Sequence, residues 1–252
     1  MKMIEWINKS FENAATDYYF LLNKEYPEIP TLKLVGDRYR LTGVQRTVLF
    51  RGITSRENIA SRKAKISTDI KGKKLYVDGY NVLFTIMNYL LGKTIFIAND
   101  GMLRDAGAAY GTVEDETFFY KAADVLFDFI KKSGVQAVVI YLDSPMPDSA
   151  SHSNELEKKM KEAGIVGKIV RAKTADGELI KIYDGIIATS DSGIIDAMGC
   201  KVFDLARNAL EANYRINAHE LMGPAKHAKH TKRKTGPQIT RITRIIENKE
   251  TT

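Results

Sequence analysis

Along the first part of this 252-residue chain the apolar positions fall at helical spacing. Ile4, Ile7, Phe11, Ala14, Ala15, Tyr18, Tyr19 and Leu22 recur every three or four residues, which puts them on one face of an amphipathic helix. The stretch from Pro27 to Pro30 breaks that run. A second helix is predicted from Thr31 to Tyr39 and a third after Thr42, whose hydroxyl is placed to cap it. Ser55 to Gly72 has few large apolar side chains and reads as a linker or an exposed helix ending in the basic turn KGKK.

From Leu75 the texture changes. Short apolar runs suited to buried strands, Leu75–Val77, Ala137–Leu142, Val166–Val170, Ile186–Thr189 and Lys201–Phe203, alternate with helical stretches. The clearest helix spans Glu114 to Lys132, with Phe118, Phe119, Ala122, Val125, Leu126, Phe129 and Ile130 on one face and acids at its start, where the helix dipole favours them. Another is predicted from Asn154 to Ala163, after the Ser-rich turn SASHS. This alternation predicts an α/β fold with a central, mostly parallel sheet flanked by helices. Past about Asn217 the periodicity fades into GPAKHAKHTKRKTGPQ, whose composition suits a flexible segment. The predicted division is therefore a helical basic domain over residues 1–70, an α/β domain over 71–215 and a basic tail over 216–252.

Charge sharpens this division. Residues 1–70 carry 12 Lys and Arg against 8 Asp and Glu, residues 71–215 carry 18 against 20, and residues 216–252 carry 8 against 3. Basic flanks around a slightly acidic centre fit a protein that holds a polyanion at its edges and a cation in its middle, although charge kept for solubility gives the same totals. Cys200 is the single cysteine, so neither an intramolecular disulfide nor a thiolate zinc cluster can form within the chain. The first twenty residues are interrupted by Glu5, Lys9 and Glu12 and lack the apolar run of a signal peptide or membrane span. A soluble cytoplasmic protein with no membrane association is the expectation.

The chemistry lies at the ends of the predicted strands. Side chains just beyond the carboxyl ends of parallel strands converge on one crevice. Here Asp78 follows the first strand, Asp143 the second, and Asp191 follows Ile186–Thr189 after one serine, while Asp176 stands in the segment KTADGEL after the third. A single aspartate after a strand is more often a turn or cap residue than a ligand; four at successive strand ends favour function. Carboxylates gathered in one place repel each other unless a cation neutralises them, and oxygen donors select Mg²⁺ or Mn²⁺. Three of the four histidines, His219, His227 and His230, fall near or in the tail, which leaves little support for histidine acid–base chemistry.

In order along the chain, VDGYNVL (Val77–Leu83), YLD (Tyr141–Asp143), KTADGELI (Lys173–Ile180) and ATSD (Ala188–Asp191) resemble the signature segments of NYN/PIN-like ribonuclease domains. The resemblance covers about residues 73–210. It implies a PIN-like fold that cleaves RNA phosphodiester bonds with Mg²⁺ or Mn²⁺ held by Asp78, Asp143, Asp176 and Asp191, with Asn81 orienting the first acid and Thr189 and Ser190 bonding to the acids. Two departures stand out. The position two residues past Asp191 is Gly193, leaving Asp196 as a reserve metal ligand, and the helical acid of many PIN domains has only Asp100, Asp105, Glu114 or Asp115 as unranked counterparts. The segment Leu34–Gly52 looks like a small helical domain found ahead of PIN-like domains in an uncharacterised, largely archaeal group.

RNA is the expected partner. Arg38, Arg40, Arg46 and Arg51 on one flank and Lys229, Lys232, Arg233 and Lys234 on the other are candidate phosphate contacts; Tyr39 and Phe50 are available for base stacking, although their helical positions favour core packing. The Gly-rich loop Asn99–Gly111, carrying Arg104, is a candidate cover or phosphate holder beside its plainer reading as a connection. Competing readings are a catalytically silent PIN-like module that binds RNA or a ribonucleoprotein, and a phosphatase. Tyr80 stands where one large phosphatase class has its second aspartate. A homo-oligomer is left open.

Overall fold

A computed structural model describes residues 7–107, 113 and 115–221 of the chain. Four helices open it: α1 (Lys9–Leu22), α2 (Glu28–Arg38), α3 (Gly43–Gly52) and α4 (Arg56–Lys65). The first buries Phe11, Ala14, Tyr18 and Tyr19 and is capped by the Asn8 side chain. The second begins ahead of the predicted Thr31, because Pro30 falls in its first turn, where a missing N–H breaks no intrahelical bond. Thr42 and Gln45 form a reciprocal capping box at the start of α3, as the Thr42 hydroxyl foretells.

The α/β part follows as β1 (Lys74–Asp78), α5 (Gly79–Leu90), β2 (Ile95–Ile97), β3 (Leu103–Asp105), α6 (Glu116–Ser133), β4 (Ala137–Asp143), α7 (Ser149–Glu162), β5 (Gly167–Ala172), α8 (Ala175–Leu179), β6 (Ile186–Ala188), α9 (Ser192–Ala197), β7 (Lys201–Val202), α10 (Leu205–Asn213) and β8 (His219–Glu220). Five strands form one parallel sheet in the order β5-β4-β1-β6-β7. Its layers follow from the two-residue period of a strand. Leu75 and Val77 of β1, with Ile186 and Ala188 of β6, pack under α5, α6 and α10. Tyr76 and Ile187 face the other way, toward Ala175, Leu179, Ile194 and Ile195 of α8 and α9. Burial on both faces explains why these strands read as continuous apolar runs.

The sheet order runs outward from β1 in both directions, which makes the carboxyl ends of β1 and its neighbours β4 and β6 the place where successive connections part and a crevice opens.

A second, three-stranded sheet, ordered β3-β2-β8, joins the helical part to residues of the α/β part. Phe96, Ala98 and Leu221 complete a core with Phe11, Tyr18, Val48 and Leu49 of the N-terminal helices. The helical region therefore closes its core with residues far along the chain. Residues 216–221, predicted as the start of a flexible tail, include β8, which pairs with β2 in parallel. Likewise the Gly-rich loop after Asn99 contains β3, paired with β2 and buried throughout.

Candidate functional site

Asp78 ends β1 and occupies the N-cap position of α5, yet its side chain makes no capping hydrogen bond. Instead it is 5% exposed, and its Oδ2 accepts a 2.9 Å hydrogen bond from the Thr189 hydroxyl beyond β6. The turn is tight. A side chain at Gly79 would start 2.6 Å from Leu142 and 2.7 Å from the Tyr141 carbonyl, so glycine is what lets α5 leave the strand against β4. Burial pushes the Asp78 carboxyl up to about 7; the Thr189 bond works against this, while Asp176, Asp143 and Asp191 add to it as nearby negative charges.

The other three aspartates are fixed by their own elements. At the end of β4, Asp143 Oδ1 accepts from the Ala175 amide at 2.8 Å, which docks the first turn of α8 against the strand and brings Asp176 alongside. Burial, then the charges of Asp191 and Asp143, raise the Asp176 carboxyl. Asp191 Oδ1 caps α9 by accepting from the amides of Gly193 and Ile194 at 2.7 and 3.1 Å. For Asp143 and Asp191 a backbone-binding role is thus real, and it occupies one oxygen of each. For Asp78 it is absent.

Asn81 stands beside the Thr189 hydroxyl that bonds Asp78, at 3.5 Å, and makes no direct bond to that acid. Its Oδ1 accepts from the Ser190 amide and hydroxyl at 2.9 and 3.0 Å, so it ties the loop after β6 to α5 and orders Asp78 only through neighbouring Thr189.

Beneath that loop runs a buried charge network that sequence reasoning did not find. The Arg104 guanidinium, 2% exposed, grips Asp100 through two hydrogen bonds of 2.9 and 2.8 Å and donates through Nε to the Ser190 carbonyl at 2.8 Å. Arg62 of α4 donates to Asp100 at 3.0 Å and to both oxygens of Asp196 at 2.7 and 2.6 Å. Burial opposes charge on Asp100, but Arg104 and Arg62 more than offset it and hold its carboxyl below the ordinary aspartate range. Two expectations are corrected here. Asp196, the reserve metal ligand, has its carboxylate engaged by Arg62, and Arg104 faces inward as a brace rather than outward as a phosphate holder. Of the unranked acids, Asp100 belongs to this network, Asp105 binds Thr85, Asn88 and Arg51, and Asp115 caps α6. Glu114 lies outside the described residues.

A hollow of about 810 Å³ opens beside the site. Asn81, Ser190, Asp191, Ser192 and Gly193 line one side, and Leu32, Arg46, Thr47, Phe50 and Arg51 of α2 and α3 line the other. Of the candidate phosphate contacts, Arg46 and Arg51 stand in it. Arg38 lies instead over the Tyr39 ring and near Asp17, and Arg40 is an exposed turn residue at φ 50°. Neither lines the hollow. Tyr39 bonds Asp17 and is likewise elsewhere, whereas Phe50 is 38% exposed on the wall. Lys229, Lys232, Arg233 and Lys234 lie outside the described residues.

As donors, the four aspartates suit a hard cation: all offer carboxylate oxygen, and no Lys or Arg among the described residues pairs with them. Their spacing is looser than that of a formed ligand set, for among the described residues no three His, Cys, Asp or Glu side chains are grouped closely enough to hold a metal ion.

Fold and site together define an α/β protein with a parallel sheet, an acidic strand-end crevice and an N-terminal helical region. Residues 67–208 match the family model described as Domain of unknown function (DUF5616), and the chain belongs to that family. Residues 10–65 match a second model, Protein of unknown function (DUF434), which coincides with the helices α1 to α4. An uncharacterised protein of the archaeon Methanocaldococcus jannaschii is 33% identical over 205 residues, spanning 80% of this chain and 97% of the relative. No solved structure matches. No helix among the described residues is long and apolar enough to cross a membrane.

Proposed function

We propose that this protein is a metal-dependent endoribonuclease with a PIN-like catalytic part, and that Asp78, Asp143, Asp176 and Asp191 hold Mg²⁺ or Mn²⁺. The observation that carries the reading is Asp78. A buried carboxylate that neither caps a helix nor meets a cationic side chain, and that has three further aspartates for neighbours, is destabilising as a purely structural feature. A bound divalent ion would neutralise the cluster, activate a water and stabilise charge on the phosphoryl oxygens. The chain's own residues do the placing. Thr189 orients Asp78, the Ala175 amide orients Asp143, and the Arg104–Asp100–Arg62 network with Asn81 fixes the loop that carries Asp191. The central parallel sheet, the order of the four motifs and the hollow leading away from Asp191 support the same reading.

The test is cleavage of labelled RNA by the full chain with Mn²⁺ or Mg²⁺. Activity should stop on adding chelator, and Asp78→Asn and Asp191→Asn should lower it by more than the roughly 10–100-fold that loss of an outer hydrogen-bond partner costs at a metal site. Undiminished cleavage by both variants would falsify the proposal. The looser spacing of the acids favours a second reading, RNA or ribonucleoprotein binding without turnover. It predicts salt-sensitive binding with no metal-dependent products.

A further inference from the structure

The hollow beside the acids is walled on its far side by the N-terminal helices, to which neither the family descriptions nor the motif resemblance gives a task. We propose that this wall is a reading site for unpaired nucleotides, with the Phe50 ring as a base platform and Arg46 and Arg51 as phosphate donors, so that the helical region selects single-stranded nucleic acid and leads it to Asp191. The inference rests on the nuclease reading for its direction, though not for the binding itself.

Three observations converge. Phe50 lines the hollow with 38% of its surface exposed, while its neighbours Val48 and Leu49 on α3 are fully buried, so part of the ring is presented to the hollow rather than to the core. An exposed ring facing a groove is what base stacking requires. Arg46 and Arg51 flank it and keep donors in hand. Arg46 uses Nε on the Leu41 carbonyl and Nη2 on Asp37; Arg51 uses Nη1 on the Asp105 carbonyl and side chain. A guanidinium has five N–H groups, so each retains some for a phosphate. All four arginines of the hollow pair with an acid, but the Arg46 and Arg51 side chains are 31% and 24% exposed, whereas those of Arg62 and Arg104 are 7% and 2% exposed. Glu28 and Asp196 gather around Arg62, which leaves α3 as the end of the hollow suited to a phosphate. Size is compatible: the half-open hollow of about 810 Å³ falls within the roughly 300–1,000 Å³ of small-molecule sites, enough to admit an unpaired nucleotide.

The experiment is binding by the full chain, in chelator and without turnover, of a short fluorescent single-stranded RNA, the matching duplex and a mononucleotide. The single strand should bind best, and Phe50→Ala should weaken it about tenfold, within the ~1–3 kcal/mol that base–aromatic stacking contributes. Phe50→Trp should retain affinity and show fluorescence quenched by the single strand, a signal that general loss of structure does not produce. Equal binding of duplex, mononucleotide affinity matching that of the oligomer, or an unaltered Kd in Phe50→Ala would each overturn the inference. Stacking at position 50 without metal-dependent cleavage would keep this site and sink the nuclease; cleavage with an unaltered Kd in Phe50→Ala would do the reverse.

Discussion

Asp78 sets stability against the proposed metal-binding role in one side chain. Its carboxyl is raised from 3.8 to about 7 chiefly by burial, so keeping it ionised in the folded chain without a cation costs on the order of 1.4 kcal/mol per unit, up to ~4 kcal/mol in all. Asparagine has nearly the same shape and can still accept the Thr189 hydroxyl. Asp78→Asn should therefore raise the melting temperature of metal-free protein at pH 8 while lowering cleavage. At pH 5, where Asp78 is already protonated, the stability gain should be much smaller. Thermal melts of the two proteins at both pH values check this, and a variant less stable at pH 8 would show that the carboxylate is structural.

Among the elements, the joint between α4 and α9 carries the most specific expectation. Arg62 spans Asp100 and Asp196, and α4 is otherwise a strongly polar helix that buries little else. Removing the guanidinium in Arg62→Met should cost about 3 kcal/mol, the low end of the ~3–5 kcal/mol for breaking a buried pair, since Arg104 still serves Asp100 and Asp196 is 42% exposed. Urea unfolding measures it. Asp196→Asn should weaken the same joint yet leave metal-dependent cleavage largely intact, and loss of cleavage in a well-folded Asp196→Asn protein would return that residue to the metal set. This joint also marks where the sequence was legible and where it was not. The helix that became α6 and the strand that became β4 stand within two residues of their predicted bounds, because a long amphipathic period and a buried apolar run are local signals. So too were the aspartates at the strand ends, whose placement follows from strand order along the chain. Arg104 and Arg62 were not, since an arginine's partners lie as far off as Asp196, 134 positions from Arg62. Nor were β2, β3 and β8, strands of two or three residues whose pairing joins Phe96 to His219 across the chain. Short apolar runs carry no period of their own.

For the molecule as a whole, the buried acids set a pH dependence with a definite sign. Asp78 is raised to about 7 and Asp204, buried at the start of α10 and accepting from the Leu103 amide, to about 6, in both cases chiefly by burial. Such a group stays protonated in the folded chain after the unfolded chain has lost its proton. Its stabilising share is full below the unfolded aspartate value, near 3.9, and is lost as pH rises through the folded value. Asp100 works in the opposite sense: its lowered carboxyl contributes above the unfolded value and loses that share only as pH falls below it, outside the same window. Metal-free protein should therefore be most stable near pH 5 and lose several kcal/mol by pH 8. Divalent cation should offset the Asp78 share, and with it that of neighbouring Asp176, but not that of Asp204, which is bonded to the backbone amides of Leu103 and Arg207 away from the crevice. At pH 8, Mn²⁺ at about 100 times its Kd should restore ~2.7 kcal/mol to the wild-type chain and much less to Asp78→Asn, and Asp204→Asn should flatten the remaining pH slope without changing the response to the ion. Calorimetric melts across pH 5–8 with and without Mn²⁺ separate these shares. An Asp78→Asn protein that gains as much from Mn²⁺ as the wild type would place the cation elsewhere, because no other change removes the charge at the end of β1 while leaving Asp143, Asp176 and Asp191 in place.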